Sequence, residues 1–224
     1  MQKRIVGLFD VDGVLSDSFK HNHKTTIESH RKFGLLRVAP KLSELKHKYD
    51  QSNRFRNLLK DIGVPDDKMS AYGKYWWKTY LNVIAEDPPP MVPGAKEAVE
   101  HFASNASAIL LSKAIKTNIR LQLNMAWVNS VFKEIIIVDL SMDKMTEMVK
   151  LKARMNGDHL IYFGDTVSDG ESSLAAGIKF GAMIHAHSYN EEKVLLEFVN
   201  AHSEMAIAVH GVADFGRAAE EAFR

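Results

Sequence analysis

The chain has 224 residues, 46% hydrophobic and 25% charged, a composition typical of a globular protein with room for one core domain and an insertion. Its net charge of +1 gives no support to nucleic-acid binding. It contains no apolar run of about eighteen residues that could cross a membrane. It has no cysteine, and its first residues lead directly into an apolar run. We therefore expect a cytoplasmic protein without disulfides or a cleaved signal.

The apolar run Ile5 to Phe9 predicts a buried strand that ends in Asp10-Val11-Asp12-Gly13. Ligands of open parallel sheets bind beyond the carboxyl ends of the strands, where both carboxylates would lie. Two carboxylates about 4 Å apart repel each other by roughly 4 kcal/mol at an effective dielectric of about 20. A divalent cation would remove this repulsion, and hard oxygen ligands suit Mg²⁺. A plain polar turn is the alternative interpretation of this stretch alone.

The segment from Lys24 to Ala85 is predicted to be helical, because its apolar residues recur at intervals of three and four. Its last helix carries an aromatic cluster. The cluster is Tyr75, Trp76, Trp77 and Tyr80. We interpret it as the packing core of a small helical unit rather than as a stacking platform for a base.

Two predicted linkers flank the helical segment: a polar stretch from Ser16 to Asn22 and the run Asp87-Pro88-Pro89-Pro90. We expect residues 1–16 and 91–224 to form the core domain and residues 17–90 a helical domain that hinges over the sheet. The helical domain holds 14 Lys and Arg against 9 Asp and Glu, so it could attract an anion once a metal is bound.

After Pro93 the strand and helix patterns alternate, as a doubly wound parallel sheet requires. The further predicted strands are 107–111, 135–138, 160–163, 180–184 and 206–209. The predicted fold is therefore α/β, with a doubly wound, Rossmann-like parallel sheet and an inserted all-helical domain.

Chemically capable side chains follow four of the predicted strands. They are Asp10, Asp12, Ser112, Lys144, Asp165 and Asp169. The carboxyl ends of parallel strands meet at one edge of a sheet, so these side chains are expected to converge there. A nucleophile, further acids, a hydroxyl and an ammonium group around a metal are typical of phosphoryl transfer.

The order Asp-x-Asp-Gly, a strand-terminal Ser, a Lys and Gly-Asp-x-x-x-Asp resembles the four motifs of the haloacid-dehalogenase-like hydrolases. The resemblance covers nearly the whole chain, because the helical segment lies where that family has its C1 cap. The stretch from Asp165 to Gly177 is similar to the fourth motif and its helix. The resemblance implies the C1-capped branch of phosphatases and phosphoglucomutase-like enzymes, with the corresponding sheet and cap.

By this resemblance, Asp10 would be the nucleophile that takes the phosphoryl group. Asp12 would protonate the leaving oxygen and later take a proton from the attacking water. Mg²⁺ would be bound by Asp10, the backbone carbonyl of Asp12, Asp165 and Asp169.

The resemblance also implies a phosphate-binding set: the Ser112 hydroxyl, the Lys144 ammonium group and backbone amides near Val11 and Lys113. Lys113 departs from the family pattern, since relatives often carry Asn there, and it could contact either substrate or solvent.

Some of these residues also have plainer interpretations. Ser112 could simply satisfy a strand end, and Asp169 could begin a helix, where carboxylates are favoured. Lys144 could lie on a solvated helix, with Lys150 or Lys152 in its role.

The cap would select the substrate, and each candidate contact has surface exposure as its alternative. The first candidates are His21, Lys24, Lys48 and Arg54, and the further ones are His23, Lys46 and Arg56. His185 and His187 follow the fifth strand of the sheet and are interpreted first as loop residues and second as substrate contacts.

Asp12 separates the chemistries of the family, because dehalogenases lack this second carboxylate. Its presence favours P–O cleavage. We expect a Mg²⁺-dependent phosphatase that acts on a small phosphate monoester or pyrophosphate, as a monomer or homodimer, with no nucleic-acid or membrane partner. The first alternative is a sugar phosphomutase. Ranked below it are a catalytically silent binding protein and a phospho-accepting regulatory protein.

Overall fold

The structure is a computed structural model that describes residues 4–51, 55–114, 116–139 and 142–224. Its strands are β1 (Ile5–Phe9), β2 (Ser107–Lys113), β3 (Glu134–Val138), β4 (His159–Gly164), β5 (Lys179–Met183) and β6 (Ala206–Val209). They form a sheet in the order β3-β2-β1-β4-β5-β6, in which every neighbouring pair is parallel. This is the strand order of a doubly wound fold, and the predicted fold class is confirmed.

Helices cover both faces of the sheet and fill the segment between β1 and β2. They are α1 (Phe19–Lys32), α2 (Leu42–Gln51), α3 (Phe55–Asp61), α4 (Met69–Glu86), α5 (Ala95–Asn105), α6 (Lys116–Gln122), α7 (Met125–Val131), α8 (Lys144–Arg154), α9 (Val167–Ala175), α10 (Glu192–Ala201) and α11 (Phe215–Ala222). None of the helices in these described ranges has the length and apolar character needed to cross a membrane.

The strand β1 is buried on both faces. Val6 and Leu8 pack into one core with Leu151 of α8. Phe9 points to the opposite core, where its ring centroid lies 5.2 Å from that of Phe102 in α5. Because helices cover both faces, β1 is a continuous apolar run rather than an alternating one.

The helices α1 to α4, here called the helical insert, share an apolar core that Tyr189, from the loop after β5, also joins. Trp76 and Tyr80 are buried in it with their rings stacked 5.2 Å apart, and the neighbouring Tyr72 is fully buried. This confirms that the aromatic cluster packs the insert.

The first helix of the insert begins earlier than predicted, because α1 includes residues 19–22 of the expected linker. Phe19 gives its first turn an apolar anchor, with ring centroids 5.6 Å from Tyr49 and 5.0 Å from Tyr189. Most of the buried face of α1 is polar, so hydrophobic periodicity does not reveal the helix. Its buried polar residues are His21, Asn22, Thr25, Thr26, Ser29 and His30.

A further helix, α7, lies between α6 and β3, whereas the alternation of strand and helix patterns predicts only one helix between these strands. The side chain of Asn124 caps it by accepting hydrogen bonds from the backbone N–H groups of Ala126 (3.0 Å) and Trp127 (3.2 Å). Asn is among the preferred N-cap residues, so this signal was present in the sequence.

The two connections between the insert and the sheet lie side by side. Ser16 and Met91 form an isolated antiparallel bridge, and the Asp17 N–H donates to the Pro90 carbonyl at 2.8 Å. The insert therefore enters and leaves at one place, next to the carboxyl end of β1.

Candidate functional site

The neighbouring strands β1 and β4 bring two acidic residues together. Phe9 is paired with Phe163, and the N–H of Asp10 donates to the carbonyl of Phe163 at 3.1 Å. Asp10 and Asp165 therefore leave the same edge of the sheet beside each other, and both are buried.

The turn after β1 leaves space for Asp165. Gly13 has a φ of +70°, in the left-handed region that side chains disfavour, and a Cβ atom there would lie 1.8 Å from Oδ2 of Asp165. The same Oδ2 accepts a hydrogen bond from the backbone N–H of Tyr189 at 2.6 Å. Glycine at position 13 is thus required by both the backbone and the neighbouring carboxylate.

The start of α9 positions a third acid. Thr166 is the N-cap residue, and its Oγ1 accepts from the Asp169 N–H at 3.2 Å and donates to Oδ2 of Asp169 at 2.7 Å. Asp169 therefore begins a helix, as its plainer interpretation holds, and it also faces the site.

Lys144 is the first residue of α8, after the N-cap residue Asp143. Its buried ammonium group donates to Asp10 Oδ2 (2.5 Å), Asp169 Oδ1 (2.7 Å) and the Tyr162 hydroxyl (2.6 Å). Burial alone would lower the pKa of Lys144, but the carboxylates of Asp10 and Asp169 outweigh burial and raise it. Lys150 instead is exposed and pairs with Glu147 at 2.6 Å.

Three carboxylates form a cluster that can hold a metal ion. One oxygen from each of Asp10, Asp165 and Asp169 lies within 4.8 Å of the other two. Burial raises the pKa of Asp10, against the pull of Lys144, and burial followed by the Asp169 charge raises the pKa of Asp165 well above its ordinary value. A buried, all-oxygen set of acids with one ammonium counter-charge fits a hard divalent cation.

The side chain of Asp12 lies outside this cluster and faces a polar network. Its Oδ1 accepts hydrogen bonds from Ser18 Oγ (2.5 Å), Gln122 Nε2 (3.0 Å) and the Tyr80 hydroxyl (3.5 Å). Burial raises the pKa of Asp12, and the bonds from Ser18 and Gln122 oppose that rise. The network connects α1 and α4 of the insert with α6 of the core.

The predicted phosphate-binding residues Ser112 and Lys113 lie at the carboxyl end of β2, the neighbour of β1. Ser112 is buried on β2, two positions beyond Leu110, the partner of Phe9. Lys113 ends β2 with an exposed side chain. The Val11 N–H, expected to face phosphate, donates instead to Oδ1 of Asp10 at 2.8 Å.

The candidate cap contacts are dispersed over the insert. His21 is buried and lies 3.4 Å from the Asp87 carboxylate, beside the proline run. Lys24 is exposed and Lys48 half-buried. Arg54 lies outside the described residues.

Both histidines after β5 lie in a loop, as expected. Nδ1 of His187 lies 2.9 Å from Oδ2 of Asp17. The backbone N–H of His187 donates to Nδ1 of His185 at 3.2 Å. Burial, with smaller contributions from the charges of His187 and Lys46, lowers the pKa of His185 to about 4. This loop therefore contacts the first connection to the insert.

Sequence reasoning missed the polar neighbours of the predicted acids. Tyr162 lies within an apolar strand pattern, and Ser18 in a stretch interpreted as a linker. Gln122 and Tyr80 lie on helices whose periodicity indicates only packing. The one signal was a polar atom on each otherwise buried side chain, which requires a hydrogen-bond partner.

The sequence profile of the family described as haloacid dehalogenase-like hydrolase matches residues 7–183. The chain therefore belongs to the haloacid dehalogenase-like hydrolases, and it is an enzyme of the hydrolase class. No curated protein sequence matches it.

Solved structures share this fold over nearly the whole chain. A predicted phosphatase from Clostridium acetobutylicum is 15% identical with a TM-score of 0.76, covering 98% of this chain and 100% of its own. A protein provisionally named a phosphoglycolate phosphatase, from Lactobacillus plantarum, is 12% identical with a TM-score of 0.71, covering 95% and 98%. One provisionally named a β-phosphoglucomutase, from Thermotoga maritima, is 19% identical with a TM-score of 0.64, covering 96% and 98%.

Proposed function

We propose that the chain is a Mg²⁺-dependent phosphatase that hydrolyses a small phosphate monoester or pyrophosphate through an aspartyl-phosphate on Asp10. The observation that carries this proposal is the convergence of Asp10, Asp165, Asp169 and Lys144 at the carboxyl end of the sheet. Asp12 lies two residues beyond the nucleophile. Membership in a hydrolase family, and relatives named as phosphatases, support the same chemistry.

In this proposal Asp10 attacks phosphorus with a carboxylate oxygen while the bond from phosphorus to the leaving oxygen breaks. Asp12 gives a proton to the leaving oxygen and then takes one from the water that hydrolyses the aspartyl-phosphate. Ser112 donates its hydroxyl hydrogen to a phosphate oxygen, and the backbone amide of Lys113 lies beside it for the same purpose.

Asp10, Asp165 and Asp169 would hold Mg²⁺ through their side chains, with the backbone carbonyl of Asp12 as a further ligand. The bound ion supplies positive charge that offsets repulsion between the phosphate and the carboxylates. Without it, Lys144 is the one cation that contacts the cluster among the described residues.

Lys144 already has three acceptors for its three N–H groups, namely Asp10, Asp169 and the Tyr162 hydroxyl. An ammonium group has no fourth hydrogen. For Lys144 to bind phosphate as well, one of these three hydrogen bonds must break. The bond to Asp169 is the one expected to break, because Asp169 would coordinate the metal.

We propose residues 17–90 as the cap and residues 1–16 with 91–224 as the core. The paired connections at Ser16–Met91 and Asp17–Pro90 support a hinge at these boundaries. The buried site requires the cap to move for substrate entry. His21, Lys24, Lys48 and Arg54 stay candidates for substrate contact. A cytoplasmic location and a monomeric or homodimeric state belong to the same proposal.

The test is phosphate release from a panel of small phosphate esters. We expect Asp10→Asn to abolish release while the far-UV spectrum and melting temperature show a folded protein, and the exposed Asp67→Asn to behave as wild type. EDTA should inhibit and Mg²⁺ should restore activity. Release by Asp10→Asn, or insensitivity to EDTA, would contradict the proposal.

A phosphomutase of the same fold is the second candidate, favoured by the likeness to the Thermotoga maritima protein. Net phosphate release from a monoester without an added bisphosphate identifies a phosphatase. Isomerisation of a sugar phosphate without phosphate release identifies a mutase.

A further inference from the structure

Hydrogen-bond donors from three helices or their ends converge on one oxygen of Asp12. All the hydrogen bonds that described side chains make to this carboxyl group end on Oδ1. The shortest come from Ser18 Oγ, at 2.5 Å, and Gln122 Nε2, at 3.0 Å. This one-sided arrangement distinguishes the two oxygens of Asp12.

The chain of hydrogen bonds through Ser18 has a fixed direction. Asn22 Nδ2 can only donate, and it contacts both the Tyr189 hydroxyl and the Ser18 carbonyl, the latter at 3.5 Å. Tyr189 therefore accepts from Asn22 and donates to Ser18 Oγ, 2.8 Å away. The hydrogen of Ser18 is then directed to Oδ1 of Asp12.

Gln122 supplies the second donor. Its Nε2 lies 3.0 Å from Asp12 Oδ1 and 2.7 Å from Asn118 Oδ1, so both amide hydrogens have acceptors. Its Oε1 is buried and has no hydrogen-bond partner within the described part of the chain. The Gln122 amide is thus oriented so that its Nε2 donates to Asp12 and Asn118, and its Oε1 has no donor within the described part of the chain. The opposite orientation would place Oε1 next to two acceptor oxygens.

We propose that Gln122 and Ser18 are positioning residues that keep Oδ1 of Asp12 an acceptor, so that the proton exchanged with the leaving group is carried on Oδ2. This inference rests on the proposed function. In the step concerned, the Oδ2–H bond breaks and its proton passes to the ester oxygen. The P–O bond breaks with its electron pair on that oxygen, and Asp12 is left as a carboxylate.

The dependence of the rate on the leaving group tests this role. Glycerol 2-phosphate releases a basic alkoxide and needs the acid, whereas p-nitrophenyl phosphate releases a stable phenolate and does not. We expect Gln122→Met and Ser18→Ala to lower kcat/KM for glycerol 2-phosphate at least about tenfold more than for p-nitrophenyl phosphate. A change in stability alone would lower both values by the same factor.

The variant Ile119→Val is the structural control, because it alters a buried apolar residue of α6 whose side chain has no hydrogen-bonding atom. It should leave the ratio of the two kcat/KM values at the wild-type value. Equal losses for both esters in Gln122→Met and Ser18→Ala, or no loss, would overturn the positioning role and leave the phosphatase proposal intact. A wild-type protein that releases phosphate from no member of the panel, these two esters and pyrophosphate included, would overturn the proposed function, and this inference with it.

Discussion

Gly13 makes a steric prediction, because its φ is positive and Asp165 occupies the space of a side chain. Gly34 has a similar φ of +72°, with no atom within 4 Å of a Cβ placed there. Gly34→Ala should therefore lower the free energy of unfolding only by the cost of a left-handed backbone at alanine, about 1–2 kcal/mol. Gly13→Ala should lower the free energy of unfolding by at least about 2 kcal/mol more than Gly34→Ala does, because it also displaces the Asp165 carboxylate.

Urea unfolding of both variants gives the two free energies, and calorimetry should show weaker Mg²⁺ binding by Gly13→Ala alone. Equal destabilisation of the two variants would mean that Asp165 moves aside without cost.

Lys144 neutralises two buried acids, so its loss should be costly when no divalent cation is present. Lys144→Met should lower the free energy of unfolding by about 3–5 kcal/mol in EDTA, because it leaves Asp10 and Asp169 buried without their counter-charge. Lys150→Met, which removes an exposed pair with Glu147, should cost less than about 1 kcal/mol. A loss that is as small for Lys144→Met as for Lys150→Met in urea unfolding would contradict this.

The half-buried ring of His185 should make the stability of the protein depend on pH. Its pKa in the folded protein is about 4, below the ordinary 6.5, so the unfolded chain takes up a proton first as the pH falls. Stability should decrease between about pH 6.5 and pH 4 through this group, and His185→Gln should remove that part of the decrease. The measurement is the melting temperature at pH 7 and pH 4.5, with the exposed His210→Gln as control. An unchanged slope in His185→Gln would refute the assignment.

The convergence of Asp10, Asp165, Asp169 and Lys144 was predictable, because the carboxyl ends of parallel strands collect the polar residues that follow them. Tyr162 and Gln122 were not, since a polar atom on a packed side chain gives no periodic signal. Their partners are far away in the sequence: Tyr162 contacts Lys144, and Gln122 contacts Asp12.

At the scale of elements, the insert depends on a buried polar contact between α1 and α4. The Tyr72 hydroxyl lies 2.7 Å from Nδ1 of His30, whose Nε2 lies 3.0 Å from the Ile62 carbonyl. Tyr72→Phe should lower the free energy of unfolding by about 1–3 kcal/mol, because Nδ1 then loses its donor and faces only the Thr26 carbonyl, which lies 2.9 Å away and cannot donate a hydrogen bond. Tyr75→Phe on the same helix should change it by less than about 0.5 kcal/mol. Chemical denaturation measures both, and similar effects of the two would contradict the role of this contact.

The sequence predicted the elements of the sheet better than those of the insert. Strands such as β1 and β4 are apolar runs bounded by polar residues, which is an unambiguous pattern. By contrast, α1 buries two threonines and two histidines, and its fourteen residues contain only two large apolar side chains, Phe19 and Ile27. Its start was therefore placed too late.

At the scale of the whole molecule, metal binding should stabilise the fold, because the three acids come together only in the folded chain. Mg²⁺ at about 100 times its dissociation constant should raise the melting temperature by about 5–10 °C. In Asp165→Asn this shift should vanish. The metal-free variant should melt above metal-free wild type, because the raised pKa of Asp165 means that its charge destabilises the folded state at neutral pH.

The exposed Asp67→Asn serves as the control and should keep the wild-type response to Mg²⁺. Two results would contradict a metal site at this cluster: a full Mg²⁺ shift in Asp165→Asn, or no shift in the wild-type protein.

The antiparallel bridge between Ser16 and Met91 brings together two points that are 75 positions apart in the sequence. Paired residues of this kind have Cα atoms about 5 Å apart, a gap that one or two glycines can close. A shortened polypeptide joined there would keep the strand order of the sheet unchanged. The same junction could accept a helical unit of different size from another protein. Under the proposed division into cap and core, recombination at this single place would exchange the substrate preference and leave the sheet as it is.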